Sequence, residues 1–413
     1  MIRLMRETPK QIVIITGQHM VANPRVWKEA NSLAENGYKV TVLTTFYDSK
    51  KKVLDKVLLH PSIQYKAAVN LIKHEGSFAD IYFARIWRRI ALIVKKTGKI
   101  DLPGLLIFRL AKQVKLAEAE QADLYIAHQE VGLLVGNELI KKGKKVAFDF
   151  EDWYSHDYLV PDRPVKLLKV LEKFALANGI YCSCPSQSMA NALKKAYPSG
   201  KKIEVLYNGF SSRENVAQNI TASQSPTMVW FSQTIGPGRG LENFLEAMHH
   251  VKTKVELLLI GNCLSYYKDE LRKKFPFKLG HQLIFHPPVS HYELISKLSL
   301  NNIGLAIENR FPESRNQTIT NKILQYLQAG IRVLATDTAG QKEVASFFPD
   351  VVVTLPIDLP ELWAEQIEFL LHSNAVDRKQ QLEQFDSIFS WERQEKKILS
   401  LVENSLKMEI LKS

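Results

Sequence analysis

A chain of 413 residues is longer than one hydrophobic core usually supports, so two domains of about 200 residues each are expected. Its 46% hydrophobic and 24% charged residues are those of an ordinary globular protein and exclude a disordered or fibrous one. The 55 Lys and Arg residues against 43 Asp and Glu give a formal net charge of +12, which favours an anionic partner: nucleotide phosphates, acidic lipid headgroups or nucleic acid.

Met1 to Lys10 is basic, but the apolar run Ile12 to Ile15 is too short for a secretory signal, and no stretch is long and apolar enough to span a bilayer. The chain is therefore expected to stay in the cytoplasm, or at the inner face of the plasma membrane. Cys182, Cys184 and Cys263 lack paired metal or redox spacing and read as reduced thiols.

Gln11 to Thr16 predicts a buried strand ending at Gly17, Val26 to Asn36 a helix stopped by Gly37, and Tyr38 to Thr44 a second strand, together a βαβ unit. The loop after the first strand, with Gly17, lacks the remaining glycines of a dinucleotide fingerprint, and no Gly-Lys-Ser/Thr follows. An NAD enzyme and a P-loop NTPase are thereby disfavoured.

Ile81 to Lys99 is the most basic stretch. Arg85, Arg88, Arg89, Lys95, Lys96 and Lys99 alternate with an apolar stripe of residues 83, 86, 87, 90, 93 and 94. Two readings fit: a helix lying on an anionic membrane, or a core-facing helix with a solvated basic side. Nucleic acid fits less well, since no recognised binding motif is present.

Leu124 to Ala127 and Lys145 to Phe150 are further short buried strands, followed by Ile180 to Ser183 and Ile203 to Tyr207. His128, placed just past the first of these, is suited to orienting a ligand or moving a proton. The next strand leads into Asp149-Phe150-Glu151-Asp152, whose carboxylates can accept from hydroxyls. Ser211 to Ser225 is a polar, serine-rich linker.

A second doubly wound unit begins there. Its strands are expected at Met228 to Ser232, Glu256 to Gly261, Leu283 to His286 and Ile303 to Glu308, with helices at Leu241 to His249 and Ser290 to Leu300. Between its first strand and helix stands Gln233-Thr234-Ile235-Gly236-Pro237-Gly238-Arg239-Gly240, a loop whose glycines let backbone approach a diphosphate and whose Arg239 can grip it. Residues 317 to 340 read as loop, helix, glycine stop at Gly330 and buried strand. Ile323, Leu324 and Leu327 form the helix's apolar stripe, with Asn321, Gln325 and Gln328 opposite. Thr318, Thr320 and Asn321 supply capping chemistry at its start, where unpaired amides suit a phosphate beside Lys322. A last helix should run from Ser390 to about Glu409.

These segments resemble the GT-B glycosyltransferases, in particular the large retaining family numbered four. The resemblance implies two Rossmann-like parallel α/β domains: residues 1–210 on the acceptor side, a linker over 211–226, a nucleotide-sugar domain over 227–388, and a terminal segment 389–413 packing back on the first domain. It implies a cleft between the domains that the Asn321 helix start faces. It also implies transfer of a sugar, with retention, from a nucleotide-diphosphate sugar to a glycan or lipid-linked acceptor in cell-surface polysaccharide or glycoconjugate synthesis, without metal or other cofactor.

The implied residues are His128, Glu151 and Asp152 for catalysis, and Gly17, Gln233, Arg239, Glu308, Gln317, Thr318, Thr320, Asn321, Lys322 and Gln325 for the donor. The chain departs from the family in three places. Gln317 and Gln325 stand where relatives carry a pair of glutamates, Gln233 replaces an arginine, and Glu151 with Asp152 replaces a His-Glu pair. A glutamine keeps hydrogen-bonding geometry without the charge. Alternatives are a catalytically silent relative that binds a sugar nucleotide or partner enzyme, and a sugar-nucleotide epimerase.

Overall fold

The computed structural model describes residues 8–159, 161–198, 200–214, 226–374 and 376–408. The chain divides into two compact units. The first takes the described residues within Met1–Pro185, Ala190–Leu206 and Glu395–Ser413, and the second those within Ser186–Met189 and Tyr207–Gln394. Most of the serine-rich linker, 215–225, lies outside the described residues.

The first unit holds a seven-stranded parallel sheet: β1 (Gln11–Ile15), β2 (Lys39–Phe46), β3 (Gln64–Asn70), β4 (Leu124–His128), β5 (Val146–Asp149), β6 (Cys182–Cys184) and β7 (Ile203–Val205), in the order β3-β2-β1-β4-β5-β6-β7. β1 is almost wholly buried, as its unbroken apolar run requires when helices cover both faces of a parallel sheet. The helix Pro24–Glu35 starts on Asn23, whose side chain accepts from the Val26 amide, and closes at Gly37 in a left-handed turn. β3 was not anticipated: its burial is graded and it sits at the sheet's edge, where an apolar run is not needed.

The second unit holds six parallel strands: β8 (Thr227–Ile235), β9 (Glu256–Cys263), β10 (Gln282–His286), β11 (Ile303–Ala306), β12 (Arg332–Thr336) and β13 (Val352–Leu355), in the order β10-β9-β8-β11-β12-β13. β8 runs three residues beyond its expected end, through a register shift between Phe231 and Thr234. Trp230, Phe244, Leu257 and Trp363 lie at the centre of its apolar core.

The helix Asn321–Gln328 is not amphipathic in the expected sense. Gln325 and Gln328 are buried along with Ile323, Leu324 and Leu327. Gln328 donates to the Ser211 carbonyl, and Gln381, from the helix Arg378–Phe389, donates to the Leu327 carbonyl, so the polar side is packed as well. Tyr326 lies flat on β11, where a Cβ on Gly304 would fall 2.3 Å from its ring, and its hydroxyl donates to the Val229 and Leu305 carbonyls.

The helix Phe78–Gly98 does not turn its apolar stripe wholly inward. It buries Ala84 and Ala91 and leaves Phe83, Trp87 and Ile93 half or more exposed, so the large apolar residues do not face a core. No described helix is long and apolar enough to cross a membrane.

Candidate active site

In each sheet the chain turns one way after the first strand and the other way after the fourth, which puts a topological switch point at the carboxyl ends of β1 and β4 and of β8 and β11. Such points open a crevice for ligands.

In the second unit, the loop Gly236–Gly240 leaves β8 and residues 307–309 leave β11. Asn309 Nδ2 donates to the Gly238 carbonyl at 2.8 Å, pinning the two loops together. Gly240 caps the helix Leu241–Met248 at φ +80°, and a Cβ there would meet Ile307 at 2.5 Å, so both its conformation and its packing require glycine. Arg239, on this loop, is half-buried and has no carboxylate partner among the described residues. Gln233 is exposed near the end of β8.

Lys322 does not stand free beside a phosphate as expected. Its ammonium is paired with Glu308 and lies 5.5 Å from the centre of the Trp230 ring, so it is a half-neutralised cation and Glu308 is not a free acid. Glu308 neighbours Asn309, and Lys322 lies in the first turn of its helix. These two contacts bring the glycine loop and the helix start to one place.

The helix is capped by Thr320 alone, and Thr320 makes no side-chain capping bond. Its hydroxyl is buried with no partner among the described residues, and the first-turn amides are left without a side-chain acceptor. Thr318 plays a different part, donating to the Ser314 carbonyl at 2.8 Å. Asn321 is exposed. Gln317 is buried: its carbonyl accepts from Ser186 and Ser188, and its Nε2 donates to Glu313 at 2.5 Å. Glu313 was not anticipated; only the fold shows that a helical turn sets it against Gln317.

In the first unit, Gln129 spans the switch point, its Oε1 accepting from the Thr16 hydroxyl at 3.0 Å and the Gly17 amide at 3.1 Å. Gln129 holds φ +62°, a left-handed conformation that costs a non-glycine residue roughly 1–2 kcal/mol and is offset here by those bonds. His128 is the last residue of β4 rather than the residue after it, and it is fully buried. Its Nδ1 lies 3.0 Å from Glu151 and its Nε2 2.9 Å from Glu29. Burial pulls the imidazole's pKa down, but the two carboxylates outweigh it and push it up to about 10, so the ring is a cation at neutral pH.

Around it, Asn23 Nδ2 donates to both Glu151 oxygens at 2.8 Å, and Arg25 grips Asp149 through Nε at 3.0 and 2.9 Å. Three carboxylates (Glu29, Asp149, Glu151) thus face two cations (Arg25, His128) in a buried network. Glu29 and Arg25 were not anticipated, because the contacts that give them a role join residues far apart in the sequence. Glu29, His128 and Asp149 also have ligand atoms within 4.8 Å of one another, the spacing a metal ion would need. Arg25 already pairs with Asp149 and each His128 nitrogen lies within 3.0 Å of a carboxylate, so this donor set fits an ion poorly.

Asp152 differs from its neighbours. It lines a cavity of about 800 Å³ with Gln18, Gln129, Glu151, Tyr154 and Arg163, and among the described residues it has no side-chain partner. Burial, with Asp157 adding repulsion against the Trp153 amide bond, raises its pKa to about 6. Arg163 is held by Glu130 at 2.5 Å and Asp157 at 3.3 Å.

This pair of sheets, with a glycine loop and a bare helix start at one switch point and a buried acid–histidine network at the other, defines a sugar-nucleotide-dependent transferase of the GT-B type. Residues 23–213 match the profile described as Glycosyltransferase Family 4, and 225–373 that described as Glycosyl transferases group 1. The chain belongs to glycosyltransferase family 4 and transfers a sugar from a nucleotide-sugar.

Among solved structures, sucrose-phosphate synthase from Thermosynechococcus elongatus superposes with a TM-score of 0.68 at 15% identity, covering 96% of this chain and 98% of that one. HepE from Anabaena, in complex with UDP and glucose, gives 0.65 at 15% identity over 96% and 100%. A glycosyltransferase from Rickettsia africae gives 0.67 at 14% identity over 97% and 100%. At such identities these likenesses establish the fold. No curated protein sequence matches the chain.

Proposed function

We propose that the second unit binds a nucleotide-diphosphate sugar at its switch point and that the first unit presents a glycan or lipid-linked acceptor. The sugar would pass with retention of configuration, in cell-surface polysaccharide or glycoconjugate synthesis at the cytoplasmic face of a membrane. What supports this reading is the coincidence, within one unit, of Arg239, without a carboxylate partner among the described residues, on a glycine loop, and of a helix start at Thr320 that has no side-chain cap among them. Amides and a guanidinium converging on one place would stabilise the departing diphosphate without a metal.

Gln233 and Asn321, both exposed, would hold the nucleoside or sugar by hydrogen bonds, and Lys322 would act with Glu308 as one element. Asp152 is the acceptor's hydroxyl partner in this reading. His128 and Glu151 hold that loop in place and fix the charge around it. The half-exposed face of helix Phe78–Gly98, with Arg85, Arg88 and Arg89 free of carboxylate partners among the described residues, supports peripheral contact with an anionic membrane.

A second reading, a silent protein that binds a sugar nucleotide without turnover, is favoured by Gln317 and Gln325 standing where relatives carry glutamates. Incubation with a panel of UDP- and GDP-sugars separates the two. Transfer to a supplied acceptor, or slow donor hydrolysis, supports the enzyme; saturable binding with neither supports the silent protein.

A further inference from the structure

A groove of about 1010 Å³ runs along the first unit between the helices Phe78–Gly98 and Leu110–Ala119, at the upper end of the about 300–1,000 Å³ usual for small-molecule sites. Phe83, Ile86, Trp87, Ile107, Leu110 and Val114 make it apolar. Its wall is built: Gly104 lies against Trp87, where a Cβ would come within 2.8 Å of the indole, so the ring packs directly on the turn Pro103–Leu105.

The rim is basic. Arg109, Lys112, Lys115 and Lys142 line it; Arg109 and Lys112 share Asp80, Lys142 meets Glu118, and Lys115 has no carboxylate partner among the described residues. A long apolar trough edged with surplus cations matches an amphiphile that joins a hydrocarbon chain to a phosphate.

The groove also shares a wall with the cavity that contains Asp152. Trp87, Pro103 and Gly104 line the groove, while Arg88, Leu105 and Leu106, their neighbours in sequence, line the cavity. A bulk lipid needs no such adjacency, whereas an acceptor carried on a lipid needs both compartments at once.

We propose that this groove holds the hydrocarbon chain of the lipid-linked acceptor, with its phosphate on the Lys112 and Lys115 rim and its sugar directed to the Asp152 cavity. This rests on the transferase reading above.

The test is calorimetric titration of the full chain with dodecyl phosphate below its micelle concentration, beside butyl phosphate and dodecyl maltoside. Ala111 lines the groove and is exposed, so Ala111→Trp fills the trough without entering the core. One dodecyl phosphate should bind per chain, butyl phosphate about 100-fold more weakly and dodecyl maltoside several-fold more weakly, with Ala111→Trp losing about tenfold at unchanged Tm. Affinity independent of chain length, an unaffected Ala111→Trp protein, or occupation by an amphipathic helical peptide in place of the alkyl phosphate would overturn the assignment. UDP titration of the same samples keeps the outcomes apart: loss of nucleotide binding would sink the transferase reading, and loss of alkyl phosphate binding alone would sink the groove.

Discussion

Lys322 is bound to Glu308, so the cation expected beside the donor phosphate is already shared with a carboxylate of its own unit. Arg239, at the β8–β11 switch point, has no carboxylate partner among the described residues. The two residues should therefore respond to mutation in opposite ways.

Arg239→Ala should weaken UDP or GDP binding at least tenfold, about 1.5 kcal/mol for a charge-assisted phosphate contact, with little change in Tm. Lys322→Ala should leave Glu308 without a counter-charge in a largely buried place and destabilise the fold by about 2 kcal/mol. Calorimetry and urea unfolding of both variants check this, and Lys322→Ala combined with Glu308→Gln should regain most of the lost stability.

Thr320→Ala offers a sharper contrast. Removing an N-cap threonine usually costs about 1 kcal/mol, but this hydroxyl makes no capping bond, so the unliganded protein should lose less than about 0.5 kcal/mol. Nucleotide affinity should nevertheless fall several-fold. A stability loss with unchanged affinity would make the residue an ordinary cap.

The position of these residues was readable because the local signals agree: a glycine loop after an apolar strand, then a helix closed by Gly330 at φ +70°. The parallel strands were legible for the same reason, being short apolar runs buried on both faces; the edge strand β3 was missed for want of such a run, and β13 was missed although Val351 to Leu355 is one. Charge pairing was not legible. Lys322 with Glu308, and His128 with Glu29 and Glu151, depend on contacts that no periodicity reports, and the buried amides of Gln325 and Gln328 look, in sequence, like a solvated helix face.

His128 makes the stability pH-dependent in a defined direction. Its folded pKa of about 10 lies above the unfolded value near 6.5, so its contribution is fully present below about pH 6.5 and is lost as pH rises through about 10. His128→Asn should be markedly less stable than the parent at pH 6, with the gap narrowing by pH 10.5. Urea midpoints at the two pH values measure it, and a constant gap would contradict the charged state.

Asp152 should govern the acid limb of activity. With its pKa raised to about 6, it is protonated below that pH and ionised above it, so kcat/KM should rise with pH through about 6. Asp152→Asn should remove that limb and lower kcat/KM by about 100-fold while sparing donor binding. A retained limb in the variant would move the role elsewhere.

Crystals grown with UDP or GDP read directly where a nucleoside diphosphate binds. The diphosphate should be hydrogen-bonded to Arg239 and to the amides that follow Thr320, touching the loop Gly236–Gly240. A diphosphate bound away from the β8–β11 switch point, with Arg239 turned to solvent, would contradict this placement.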